Sequence, residues 1–164
     1  MTSDTDAPRH DVPTMDDILS RSGLDFMRDI LSGALPSTPI AATLGFALTD
    51  VQDGRVTFEG EPDHSVTNVM GGVHGGWYGT LLDSALGCAV MTRVPRGSYY
   101  TTLEYKVNLT SAIPLGMTMT CTADVTHAGR TTAVATAEIR GTDDGKLYAT
   151  GSTTCLIMTA PAST

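Results

Sequence analysis

Residues 76–93 read as one helix without a polar face. Trp77, Leu81, Leu82, Ala85, Leu86, Ala89 and Val90 spread round most of its circumference, and Asp83 is the single carboxylate near its middle. A helix that is apolar nearly all round has to be enclosed by other elements. The chain must therefore fold around this segment. The segment is entered through Asn68-Val-Met-Gly-Gly-Val-His74-Gly75-Gly76, in which Gly71, Gly72, Gly75 and Gly76 fall within six residues.

The elements available to enclose it are mostly strands. Asp53-Gly54 is a hairpin turn signal, and residues 40–60 read as two strands about it. Beyond the helix, Leu103, Tyr105, Val107 and Leu109 alternate with Thr102, Glu104, Lys106 and Asn108. Met117, Met119, Cys121, Ala123 and Val125 alternate with Thr and Asp in the same way. Residues 134–140 and 147–158 make two further runs, and the four read as a meander of long strands. Ahead of the sheet, Ile18, Leu19, Phe26, Met27, Ile30 and Leu31 recur at helical spacing, with Gly33 as a stop. The expected fold class is α+β: a long antiparallel sheet wrapped around a central buried helix, with an extra N-terminal helix. The expected division is a disordered tail over 1–13, a helix over 14–35, the main domain over 36–159 and a tail over 160–164.

Composition narrows the function classes. The net charge of -8 argues against nucleic acid as partner and means that an anionic ligand has to be met by local features. Cys88, Cys121 and Cys155 form no CxxC or CxxH pair, so no metal site is expected and the thiols read as core residues of a reducing compartment. The first residues lack a basic start and an apolar run, and no segment has the length of a membrane span. The chain reads as cytoplasmic, with no membrane partner. The outward faces of the later strands are rich in Thr rather than in Lys or Glu, which points to contact with another subunit.

The loop and helix together carry chemistry. A helix N-terminus presents N–H groups without intrahelical partners at a positive dipole end, which suits a developing oxyanion. Glycines let the backbone approach a substrate closely. A carboxylate on an apolar helix is costly unless paired or used, and burial raises its pKa toward that of a base useful near neutral pH. Gly75 and Asp83 are eight residues apart, roughly 12 Å along one helix axis. One small group cannot touch both, so a site using both draws them from two subunits of a homodimer.

These residues resemble a known family. Asn68, Gly71, His74-Gly75-Gly76 and Leu81-x-Asp83 resemble the loop and helix of the hotdog-fold acyl-CoA thioesterases, in particular the phenylacetic-acid-pathway (PaaI-type) group. Thr102–Asn108, Gly129-Arg130-Thr131 and residues 145–151 resemble its later strand and hairpins, and the likeness covers roughly residues 40–158. The resemblance implies an acyl-CoA thioesterase that hydrolyses a thioester to a carboxylic acid and free CoA. It implies no cofactor, CoA being part of the substrate. It gives Gly75 the role of carbonyl donor and Asn68 that of positioning or polarising group. Asp83 becomes the nucleophile or general base, Thr102 an orienter of water and His74 a support of the loop. Gly76, Trp77 and Leu82 are candidate substrate-binding residues, and Trp77, Tyr78, Leu81, Leu82 and the N-terminal helix are candidates for shaping the acyl pocket. The Gly129-Arg130 turn is a candidate for a CoA phosphate. The resemblance also implies sites shared between subunits of a dimer or tetramer. A hotdog dehydratase or hydratase, and a non-catalytic acyl-CoA-binding accessory protein, stand as alternatives.

Overall fold

The computed structural model describes residues 12–161. The expected tails therefore lie largely outside the described residues. Three helices, α1 (Met15–Leu19), α2 (Gly23–Ser32) and α3 (Pro39–Leu44), precede a hairpin of β1 (Phe46–Gln52) and β2 (Arg55–Gly60). The long helix α4 (Gly75–Met91) follows, and then β3 (Ser98–Leu109), β4 (Met119–Ala128), β5 (Thr132–Gly141) and β6 (Leu147–Thr159). The six strands form one antiparallel sheet in the order β1-β2-β4-β5-β6-β3, curled around α4. This is the hotdog fold that the sequence led us to expect.

Three local expectations are corrected. The four-strand meander is a three-strand one: β4, β5 and β6 pair in sequence, while β3 crosses to the far side of β6 and becomes an edge. The helix expected over 14–35 is two helices. Thr14 caps α1 through a reciprocal capping box with Asp17, and Ser22 starts α2 by accepting the Asp25 N–H. The first strand expected from residue 40 begins at Phe46, because Pro39 sits in the first turn of α3 and Gly45 ends it in the left-handed conformation.

The centre of the molecule is an interlock of large helix residues with small strand residues. Leu81, Leu82 and Leu86 of α4 are fully buried, and the strands face the helix with Ala123, Ala133, Ala135, Ala149 and Gly151. A methyl group at Gly151 would lie 3.2 Å from Leu82 Cδ2, so the sheet approaches the helix as closely as its backbone allows. Each leucine so buried contributes about 1.5–3 kcal/mol. Cys121 and Cys155 are buried as expected.

The N-terminal helices are fastened to this core at one point. The Gly23 N–H donates to the Val94 carbonyl at 2.9 Å, and a methyl group at Gly23 would lie 1.8 Å from the Met91 carbonyl oxygen. Phe26 and Met27 of α2 are buried beside it. Alanine favours an isolated helix by about 1 kcal/mol over glycine. Here we expect the opposite sign: Gly23→Ala lowers stability by about 1–3 kcal/mol through the backbone clash. A urea titration reads this as a lower midpoint at unchanged slope; an unchanged or higher midpoint would show that α2 is not seated on α4 in this way.

Candidate active site

The glycine loop is organised by Asn68. Its side-chain oxygen accepts the Met70 N–H at 2.9 Å and the Gly72 N–H at 3.3 Å, and its backbone exchanges bonds with Gly71 and Gly72. Gly71 has φ +80°, a left-handed turn position that favours glycine. The loop delivers the chain to His74, the N-cap of α4. His74 Nδ1 accepts the Gly76 N–H at 2.8 Å, and its carbonyl accepts the Trp77 N–H at 2.9 Å. The Gly75 N–H, the first of the helix, has no partner among the described residues. His74 thus caps one donor and leaves its neighbour open.

Asp83 lies two turns further along α4 and opens into a cavity of about 200 Å3. Ser84 and Cys88 from α4, Tyr100 and Thr102 from β3, and Met27 and Ile30 from α2 share its wall. Asp83 Oδ1 is buried and has no hydrogen-bond partner among the described residues. Burial pushes the Asp83 carboxyl above the usual carboxylate range, and the Thr102 hydroxyl pulls it back in part. The neighbouring acids stay protonated. Burial, reinforced by the Asp83 charge, pushes the Cys88 thiol up to about 12. Burial also holds the Tyr100 phenol well above its ordinary value. A thiolate nucleophile is therefore not at hand, and the carboxylate is the basic group of the cavity.

Thr102 reaches this cavity through a β-bulge. Simple alternation groups it with Glu104 and Lys106 on the polar face, away from the helix. The register of β3 on β6 shifts between Thr102 and Glu104. Leu103 is the extra residue, and the inward parity changes across it. Tyr100 and Thr102 face α4 before the bulge. Tyr105 and Leu109 lie against α4 after it, each within reach of a methyl group built on Gly79 or Gly75. Tyr100 was missed by the sequence reading; once Thr102 is known to point inward, strand parity requires Tyr100 to follow.

Other candidates lie apart from the Asp83 cavity. Leu82 packs in the core against Gly151, and Trp77 is buried with its Nε1–H donated to the Leu44 carbonyl at 2.8 Å. Gly76 is exposed beside His74. Gly129 and Arg130 form the exposed β4–β5 turn. Through the β5–β6–β3 register that turn lies two strands from Thr101 and Thr102. Within one protomer Gly75 and Asp83 remain roughly 12 Å apart along the axis of α4. β3 runs beside that helix from Leu109 near Gly75 to Tyr100 near Gly87.

The likenesses to known proteins agree with this arrangement. The Thioesterase superfamily model matches residues 70–148, from within the glycine loop through α4, β3, β4 and β5 to the start of β6. Human acyl-coenzyme A thioesterase 13 is 26% identical over 126 residues, covering 76% of this chain and 89% of that protein. A thioesterase family protein from Silicibacter pomeroyi superposes with a TM-score of 0.71 at 30% identity, over 82% of this chain and 96% of that one. A phenylacetic acid degradation-related protein from Ralstonia eutropha JMP134 superposes with a TM-score of 0.72 at 26% identity, over 79% and 98% of the two chains. Matched by the family model and superposing on these structures over most of its length, the chain belongs to the thioesterase superfamily.

Proposed function

We propose that this thioester hydrolase acts on acyl-CoA, with Asp83 as the general base that activates water and the Gly75 N–H as the donor that receives the oxyanion. The observation that carries the reading is the Asp83 carboxylate, whose Oδ1 is buried without a partner at a cavity wall. Human acyl-coenzyme A thioesterase 13 supports CoA as the thiol. In the reaction, Asp83 accepts a proton from water while the water oxygen bonds to the thioester carbon. The carbonyl oxygen gathers negative charge opposite the Gly75 N–H. Collapse breaks the C–S bond, and the departing thiolate takes the proton that Asp83 accepted, giving a carboxylic acid and free CoA and restoring the carboxylate. Thr102 orients the water from the far side of the carboxylate, and Asn68 keeps the loop in shape. Arg130, at its exposed turn, is the candidate for a CoA phosphate.

The working unit in this reading is a homodimer. β3 is a twelve-residue edge with no partner on its outer side among the described residues. Leu103, Tyr105 and Leu109 along it are exposed, as are Val69 and Met70 of the glycine loop. A long apolar edge is an association surface. Two-fold pairing of β3 with its copy sets the Leu109 end of one strand opposite the Thr102 end of the other. Gly75 of one protomer then approaches Asp83 of its partner. The Thr-rich outer face, with Thr122, Thr136 and Thr150, is the surface on which two such dimers would make a tetramer.

Two substitutions test the chemistry. Asp83→Asn is expected to lower kcat on acyl-CoA by at least about a hundredfold and to raise stability at neutral pH. The sign follows from the raised carboxyl pKa: the folded state then binds a proton more tightly than the unfolded one. The stability that Asp83 provides is therefore present at low pH and lost as pH rises through its folded pKa. Thermal melts should show the variant's advantage at pH 7 shrinking on acidification. The wild-type rate should fall on the acid side at a pH above that of an ordinary aspartate. A variant that keeps its activity, or that loses stability at pH 7, would remove Asp83 from the role of base.

Gly75→Pro deletes one N–H and little else. Gly75 is the first helical residue, where proline is tolerated, and His74 before it is already extended at φ -66° and ψ 137°. Thiol release is expected to fall about 100- to 1,000-fold with the far-ultraviolet spectrum unchanged. Full activity in a folded variant would show that this donor does not meet the substrate.

A further inference from the structure

The Asp83 cavity does not end at the N-terminal helices. A second hollow of about 540 Å3 adjoins it, between α1, α2, the end of α4 and the start of β3. The two share Met27, Ile30, Thr38, Cys88, Tyr100 and Thr102 as wall. The inner hollow is edged with polar groups, Asp83, Ser84 and Thr102 among them. The outer one is lined by Met15, Ile18, Phe26, Met91 and Tyr99, and among the described residues no charged side chain lines it. At about 30 Å3 per methylene, close to the share of a water molecule in the liquid, the inner hollow holds roughly six.

From this continuity we infer that the substrate's acyl group is an unbranched, uncharged aliphatic chain, long enough to pass from Asp83 into the hollow under α1 and α2. Ile30 and Met27 stand at the passage and set the length accepted. The inference rests on the acyl-CoA hydrolase reading and extends it to the acyl group. Three features of the outer hollow select this occupant. Its described lining offers no cation to receive a second carboxylate, which disfavours dicarboxylic acyl groups. Its methionines, Met15, Met27 and Met91, are flexible thioethers that pack against a chain of variable path better than against a rigid ring. Its far wall is α1, a five-residue helix with no buried residue, joined to α2 by ion pairs of Arg21 with Asp17 and Asp29. Met15 on that helix is about half exposed, so the terminal methyl of a longer chain meets an opening rather than a closed end.

The test is kcat/KM for straight-chain acyl-CoAs from butanoyl to dodecanoyl, measured for wild type, Ile30→Trp and Ile30→Ala. Ile30 is half-buried, so either side chain can be accommodated at the helix surface. In the wild type, kcat/KM should keep rising beyond six carbons, by up to roughly fourfold for each methylene buried. Ile30→Trp narrows the passage, and the dodecanoyl-to-butanoyl ratio should fall at least tenfold. Ile30→Ala should move the same ratio upward. A ratio unmoved by both substitutions in an active enzyme would overturn the inference and leave the thioesterase reading standing. If no acyl-CoA is hydrolysed, displacement of a fluorescent fatty acid by dodecanoate decides the matter separately. Tight binding weakened at least tenfold by Ile30→Trp would uphold the chamber while the proposed function fell; no binding by the wild type would overturn it.

Discussion

Everything in this molecule follows from having to enclose α4. An apolar helix of seventeen residues cannot lie on a surface, and one sheet of six strands curls around it because small residues on the strands admit its leucines. Asp83 is the exception inside that enclosure. It sits where the wrapping is incomplete, at the gap between β3 and the N-terminal helices. Its Oδ1 is buried with no hydrogen-bond partner among the described residues, which is an unfavourable state for folding and a useful one for a base.

The same enclosure separates the two ends of the chemistry. A helix offers open N–H groups only at its first turn, and α4 needs its length to fill the sheet. The proposed donor at Gly75 and the proposed base at Asp83 are therefore held apart by the element that supports both. β3 lies alongside α4 with its outer edge unpaired among the described residues, and in the proposed reading a second copy, turned end for end, brings the two together. His74 shows how economically the donor end is made. By accepting the Gly76 N–H it fixes the helix start and leaves the Gly75 N–H without a partner among the described residues.

Much of this was legible before the structure. The helix, the Asp53-Gly54 hairpin and the later strands announce themselves by period and turn chemistry, since each is decided by residues close in sequence. Pairing order is not local: nothing in Ser98–Leu109 says that its partner is β6 rather than β4. The bulge at Leu103 belongs to the same class, because two residues against one is a property of a pair of strands. An all-apolar helix hides which of its sides meets a hollow: Leu82 packs against Gly151 in the core, whereas Trp77 lines a hollow beside His74 and Gly76. The breaks around α1, α2 and α3 were more readable than our expectation allowed. Thr14 with Asp17 was read as a helix start, but Ser22 with Asp25 and Thr38-Pro39 are equally ordinary start signals that our expectation passed over.

The central claim is that one active site takes Gly75 from one protomer and Asp83 from the other. The most direct measurement mixes two inactive proteins, Gly75→Pro and Asp83→Ala, under conditions that let subunits exchange, and follows thiol release from an acyl-CoA. Half of the reassorted dimers contain one protomer of each kind, and each of these has one site with both groups intact. The account predicts recovery of about a quarter of wild-type activity. A mixture as inactive as its two components, in which exchange is confirmed by mass spectrometry, would contradict it and place both groups' work within a single chain.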